Sequence, residues 1–341
     1  MRKKERIEFK NLNRADLSKF KNFIKRHWHG KHIFTKNTSF FNWQHRKKNI
    51  YNCIVAKKDK KIIGVQAFIT QNHYDKKLPK DQIFLALFRC LENSIPGLGL
   101  KIYKTIIRKY KPNFIGTTGF DPRMIPFHKW QGYKIGKMKH NVAVSSFKKK
   151  FVIAKLPSKF NYYITKKNNF SNYKKLKLSD IDKCVSNNLY TYQTPYKSNS
   201  FIKKRFMRHP IYKYLVYAAI KNKKAKSVCV LRLIKHNNQT VIKIIDFIGP
   251  SNFFSNFNNL FIILLKKYSA EYIDFYSYGM NEKNIKGAGF VNVDDYKGLI
   301  VPEYFEPFVR SNINLMYGYK TTINHPPIRI FKGDGDRDRP S

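Results

Sequence analysis

Two glycines head the stretch of this chain best suited to chemistry. In SIPGLGLKIYK, Ser94 to Lys104, Gly97 and Gly99 precede Leu98, Ile102, Ile106 and Tyr110, apolar residues that recur every four positions. That spacing predicts a helix. Backbone N–H groups at a helix start can cradle a phosphate, and glycine lets the anion approach without side-chain bulk. The same Gly-x-Gly also serves as a plain turn between two elements.

Other clusters carry less. HWHGKH brings His27, His29 and His32 together without an acidic or cysteine partner, and a helix end around Trp28 explains it as well as a metal does. DGDRD at 334–338 imitates the start of a calcium loop, but the chain ends before the acidic twelfth position that such a loop needs. A tail docked through Arg337 and Arg339, or a contact to a substrate, is the expectation there. The four cysteines show no CxxC or zinc spacing, and Cys53, Cys90 and Cys229 lie in apolar, strand-like runs. They read as reduced core residues, and no metal is expected.

The chain sets 68 Lys and Arg against 21 Asp and Glu, a formal net charge of +47 spread along its 341 residues. Nucleic acid, an anionic membrane surface and phosphate-bearing substrates all fit that charge. The longest apolar run, LFIILL at 260–265, falls well below the roughly 20 residues of a membrane span. A cytoplasmic protein is expected, with the inner membrane face as a peripheral location.

The elements that must position these residues come in a repeated order. Asn13 reads as an N-cap before Leu17, Phe20, Ile24 and Trp28 at helical spacing. NCIVAKKDKKIIGVQAFIT gives two strands around a charged turn, and QIFLALFRCL a third. The glycine-led helix, the strand NFIGTTG and a short helix MIPFHKWQGY ending at Gly132 follow. The second half repeats this: a capped helix LSDIDKCVSNNL, a basic segment FIKKRFMRHP, and strands IYKYLVYAAI, SVCVLRLIK and TVIKIIDFIG joined by KNKKAK and HNNQ. A helix with Phe257, Leu260, Phe261, Leu264, Leu265 and Tyr268 on one face, the strand EYIDFYSYG and a short helix ending at Gly289 complete it. The pattern predicts two α/β (α+β) units, each a mixed, mostly antiparallel sheet flanked by helices. Residues 1–150 form the first domain and 161–341 the second, across a Lys-rich, Pro-containing stretch at 147–160.

Strand, Gly-x-Gly, helix, strand, then a short helix closing with Gly-Tyr or Gly-Phe resembles the GNAT superfamily of acyl-CoA-dependent N-acyltransferases. More narrowly, YNCIVAKKDKKIIGV, FLALFRC, PGLGLKIYK, YFEPF and GDGDRDRPS are similar to two-domain GNAT proteins of bacterial surface-polysaccharide synthesis. The duplicated layout is also that of the Fem-type transferases. The resemblance implies acetyl-CoA or another acyl-CoA as co-substrate, its diphosphate at Gly97, Leu98, Gly99, Leu100 and Lys101. The family's loop usually opens with Gln or Arg, where this chain has Ser94. The family often carries a proton-donating tyrosine four residues before the closing glycine; here that place holds His128, with packing beside Trp130 as its alternative. Glu92 is the best-placed carboxylate for a base, with a salt bridge as its alternative. In the second half IGPSNFFSNF sets phenylalanines where glycines are needed, and Ile285 stands four before Gly289. That half is expected to wall an acceptor cleft, with Asp246, Asp274 and Tyr278 as candidate sugar contacts or structural residues. The implied acceptor is an amino sugar, nucleotide-linked or carried on a lipid diphosphate. A Fem-like transferase drawing on aminoacyl-tRNA and a non-catalytic basic GNAT-fold binding protein are the alternatives.

Overall fold

A computed structural model describes residues 7–92, 94–160, 162, 172–186, 189–324 and 326–340. The first half runs β1 (Ile7–Asn13), α1 (Leu17–His27), α2 (Ile33–Lys36), α3 (Thr38–His45), β2 (Arg46–Lys47), β3 (Ile50–Lys58), β4 (Lys61–Thr70), α4 (Gln71–Tyr74) and β5 (Gln82–Cys90). Next come α5 (Leu98–Tyr110), β6 (Phe114–Thr118), α6 (Ile125–Trp130), β7 (Lys134–Lys137) and β8 (Lys139–Val144). Then follow β9 (Tyr173–Lys175), α7 (Ile181–Cys184), α8 (Asn199–Ile202), β10 (Tyr214–Lys221), β11 (Lys224–His236), β12 (Gln239–Ile248), α9 (Asn258–Lys267), β13 (Ala270–Tyr278) and α10 (Glu282–Gly287). Five short or late strands close the described chain: β14 (Val291–Asn292), β15 (Tyr304–Phe305), β16 (Phe308–Val309), β17 (Met316–Thr321) and β18 (Ile330–Phe331).

The charged turns are hairpins for a local reason. Asp59 and Lys60, Asn222 and Lys223, and Asn237 and Asn238 all hold positive φ, the geometry of two-residue turns whose twist matches that of the strands they join. β3, β4 and β12 are buried along almost their whole length because both faces are covered. In the first sheet α1 to α3 pack on one face and α5 on the other; in the second, α9 covers one face and α7 and α8 the other. Ile69, Tyr74 and Leu78 of the first half join that last core, so hydrophobic packing runs between the halves.

Both sheets are mixed and mostly antiparallel. Each contains one parallel pair, β5 with β6 around α5 and β12 with β13 around α9. The sheet orders are β1-β3-β4-β5-β6-β17-β7 and β14-β8-β13-β12-β11-β10-β9, with β2 on β3 and β18 on β13 as additions. The two halves thus exchange strands: β17, from the far end of the chain, lies between β6 and β7, while β8 lies between β13 and β14. The stretch at 147–160 follows β8, so β8 precedes it in sequence yet belongs to the second sheet.

Some local expectations change. Asn13 is the end of β1, and its side chain accepts from Asp16 N–H at 2.9 Å, so it caps the turn into α1 and not the helix itself. LSDIDKCVSNNL shortens to a 3-10 turn and the four-residue α7, with Asn187 and Asn188 outside the described residues. The basic segment FIKKRFMRHP continues α8 as a π-helical turn over Lys203–Met207.

Candidate functional site

The site forms where the first sheet opens. The β5–β6 ladder pairs Gln82–Leu85 with Phe114–Thr117 and then stops. On its other edge β5 bulges: Gln66 faces Phe88 and Phe68 faces Leu85, so Ala86 and Leu87 together oppose Ala67. The bulge bends β5 away from β6, and Gln66 Nε2 donates to the Ala86 carbonyl at 3.0 Å. A cavity of about 880 Å³ fills the resulting wedge. Leu85 to Arg89 form one side, Thr117 to Phe120 the other, and Gly97, Gly99 and Leu100 of α5 line it as well.

The two glycines serve different ends. Gly97 is the N-cap of α5 at φ 71, a left-handed conformation that costs other residues about 1–2 kcal/mol. A Cβ there would meet nothing within 4 Å, so the backbone is open toward the cavity. Among the described residues no side chain caps the helix; the Leu98 N–H donates to the Ile95 carbonyl at 3.2 Å, which leaves the Gly99 and Leu100 N–H groups and the positive dipole end available. Gly99 answers to packing, because a Cβ there would stand 2.7 Å from Phe88 Cζ and the ring would have to shift. Leu98 is a core residue, and Lys101 lines a separate groove on another side of α5.

His128 reaches the cavity from α6. Pro126 in the first turn of that helix and Gly132 at φ 80 just beyond it fix its short span. The imidazole is buried, packed on Phe120 at 4.7 Å and Tyr133 at 4.9 Å between ring centroids, and its Nδ1 has no partner among the described residues. Burial lowers its pKa to about 4. Trp130, the expected neighbour, is 67% exposed, with its ring 6.3 Å from that of Phe127. Beside His128, Tyr103 on α5 donates to the Tyr133 hydroxyl at 3.3 Å, and burial raises both phenols.

Glu92 does not join this group. It lies outside the cavity lining with its side chain 82% exposed and paired to Arg89 at 3.1 Å, because the chain turns outward between β5 and α5. The histidines divide: His27 lines the cavity, His29 is exposed, and His32 is buried as the N-cap of α2. Among the described residues no group of three or more His, Cys, Asp or Glu could hold a metal ion.

The second half supplies the remaining wall through Tyr304, Ile313 to Leu315 and the tail residues Asp336, Arg337 and Arg339. Its own wedge is closed. The β12–β13 ladder ends at Ile244 and Phe275, and Phe254 fills the space beyond, stacked on Phe275 at 5.1 Å and edge-on to Phe247 at 5.2 Å. The tail enters the same gap: β18 pairs with Ser277 and Tyr278, and Gly333 N–H donates to the Ile245 carbonyl at 2.7 Å.

Asp246 and Asp274, candidates for sugar contacts or structural residues, are buried partners of lysines. Lys197 Nζ sits 2.7 Å from Asp246 and 2.9 Å from Asp334, which pins the tail to β12. Burial, opposed by Lys197 and reinforced by Asp334, pushes the Asp246 carboxyl up to about 7. Asp274 accepts from Lys243 at 2.6 Å and lies 3.2 Å from His140 Nε2. Burial opposes its charge, but those two neighbours outweigh it and hold the carboxyl below its usual range. Tyr278 is partly exposed, stacks on Tyr317 at 4.1 Å and shares a hydrogen bond with Tyr319 at 3.1 Å, which joins β13 to β17.

No protein-family model and no curated protein matches the chain. Solved structures do. A GCN5-related N-acetyltransferase from Anabaena variabilis is similar over 93% of this chain and 73% of its own, with a TM-score of 0.53 and 9% identity. An Enterococcus faecalis protein, described as a probable N-acyltransferase, is similar over 92% and 72%, with a TM-score of 0.54 and 7% identity. A GCN5-related N-acetyltransferase from Kribbella flavida is similar over 93% and 71%, with a TM-score of 0.51 and 7% identity. The chain has the fold of these proteins along most of its length.

Proposed function

We propose that the chain is an acyl-CoA-dependent N-acyltransferase with one working site, in the first half. The observation that carries this reading is the wedge between β5 and β6, which opens onto the uncapped N-terminus of α5 at a left-handed glycine. A thioester with a long, narrow arm and a diphosphate head fits such a slot: the arm lies between the parted strands, and the head meets the first amides of α5.

Within the wedge the acceptor nitrogen attacks the thioester carbonyl carbon; a C–N bond forms, the C–S bond breaks, and one proton passes from nitrogen to sulfur. His128, its pKa at about 4, is neutral near pH 7. A neutral imidazole enters turnover as a base, so His128 first takes the amine proton and then returns it to the thiolate. That order differs from a donor charged in advance, and it follows from burial of the ring.

The second-half wall, with Tyr304, Asn314 and Arg337, is the acceptor side. In this reading the acceptor is an amino sugar of a surface-polysaccharide precursor, handled in the cytoplasm near an anionic membrane face. A net charge of +47 favours a second reading, in which aminoacyl-tRNA supplies the acyl group. Melting experiments separate the two. CoA at a hundred times its Kd should stabilise the protein by about 2.7 kcal/mol, with no gain from RNA; the opposite result sinks the acyl-CoA reading. His128→Ala should slow single-turnover transfer at least about tenfold with CoA affinity unchanged, and an unchanged rate would leave the histidine as packing only.

A further inference from the structure

A second, smaller pocket of about 130 Å³ adjoins the cavity, sharing Tyr304, Arg337 and Arg339 with it. It is built wholly from the second half. Four cations, Arg232, Lys332, Arg337 and Arg339, face three carboxylates, Glu303, Glu306 and Asp338, of which Glu306 turns to solvent.

The buried carboxylates are already used: Asp338 accepts from Arg232 and from the Tyr214 hydroxyl, both at 2.7 Å. Glu303 holds Lys332 at 2.7 Å through one oxygen and Lys243 at 3.2 Å through the other. The donors are less fully used, although Arg339 pairs with Asp336 at 2.7 Å. Arg232 Nε and Arg337 Nε are buried and have no hydrogen-bond partner among the described residues, although Arg337 Nε lies 4.0 Å from Glu303 Oε1 as a charge contact. Arg232 is also held rigid, its guanidinium stacked 3.9 Å over the Tyr212 ring. Arg337 lies against the Tyr304 ring at 4.8 Å and donates to its hydroxyl. Buried guanidinium donors without acceptors are costly, and a guanidinium fork matches the oxygens of a phosphoryl group. The volume is that of about four water molecules, which suits such a group.

We propose that this pocket is the subsite for a phosphoryl group carried by the acceptor, so that the acceptor is a phosphorylated amine. The inference rests on the acyl-transfer reading for the word acceptor, but the anion site stands on its own geometry. Arg337 and Tyr304, shared by both pockets, place a bound phosphoryl group beside the cavity in which the amine would react.

The test is titration calorimetry of the full chain with inorganic phosphate, and separately with CoA and 3′-dephospho-CoA. Arg337→Gln should weaken phosphate binding at least about tenfold, Tyr304→Phe by a smaller factor, and Arg337→Lys should recover part of the loss. All three should bind CoA and dephospho-CoA as the unmodified protein does, which also reports that they fold. Phosphate affinity unchanged in Arg337→Gln, or phosphate competing with CoA, overturns the subsite. A loss of preference for CoA over dephospho-CoA in Arg337→Gln also overturns it, by assigning the pocket to the co-substrate's own phosphate. Phosphate bound through Arg337 in a protein that does not bind CoA would keep the anion site and overturn the acyl-transfer reading instead.

Discussion

One added methyl group at Gly99 should be felt through a single ring. The Cβ of Gly99→Ala would lie 2.7 Å from Phe88 Cζ, whereas carbons in contact stand about 3.5–4.0 Å apart. The ring must therefore retreat by about 1 Å. Overpacking of this kind costs about 1–3 kcal/mol, offset by up to about 1 kcal/mol from replacing a helical glycine. A net loss of about 1–2 kcal/mol is expected. In a Phe88→Ala background the obstacle is gone, so the same substitution should be neutral or slightly stabilising. Urea unfolding of the four proteins gives the coupling between the positions, expected at about 1–3 kcal/mol. Because Phe88 lines the wedge, Gly99→Ala should also weaken CoA binding. Equal costs of Gly99→Ala in both backgrounds, within about 0.5 kcal/mol, would refute the argument that packing on Phe88 demands this glycine.

Lys197→Met leaves Asp246 and Asp334 buried without their shared cation and should cost about 3–5 kcal/mol in urea unfolding; a loss below about 1 kcal/mol would show that the tail is not held there. Stability should fall as the pH drops from 7 to 5. Burial holds His32, His45 and His209 at pKa values of about 3 and His128 at about 4, so below about pH 6.5 the unfolded chain binds protons that the folded one refuses. Each of the first three then costs about 2 kcal/mol at pH 5, together more than the roughly 2 kcal/mol that Asp246, its carboxyl at about 7 in the fold, returns over the same range; a urea midpoint that is flat across this range would contradict it. Residues 1–150 made alone lack β17 and leave edges of β6 and β7 unpaired, so they should be insoluble unless co-expressed with 161–341. A soluble fragment that unfolds cooperatively would contradict that.

The parts of the fold that were legible in sequence were those written locally. The hairpins around Asp59, Asn222 and Asn237 announce themselves by turn chemistry, and α5 and α9 by their four-residue spacing. The helices over Ile33–Lys36 and Thr38–His45 were not legible, because HIFTKNTSFFNWQH is aromatic on several faces and keeps no single stripe. The strand exchange was invisible for a different reason: nothing in β8 or β17 encodes a partner more than a hundred residues away. The same limit governed the acids. Asp246 sits near the end of β12, as a ligand contact would, and Asp274 in the middle of β13; only the tertiary placement of Lys197 and Lys243 makes them internal ions. Glu92, adjacent in sequence to the glycine loop, is carried outward by one turn of chain. The bulge at Ala86 and Leu87, which opens the wedge, had no signal of its own in QIFLALFRC.

Stoichiometry tests the central claim most directly. Titration calorimetry of acetyl-CoA into the full chain should give one binding event per chain, because the wedge of the first sheet is open while that of the second is filled by Phe254 and the tail. In Gly97→Val that event should disappear, with the protein still folded. No binding to the unmodified chain, two sites per chain, or equal affinity in Gly97→Val would contradict the account.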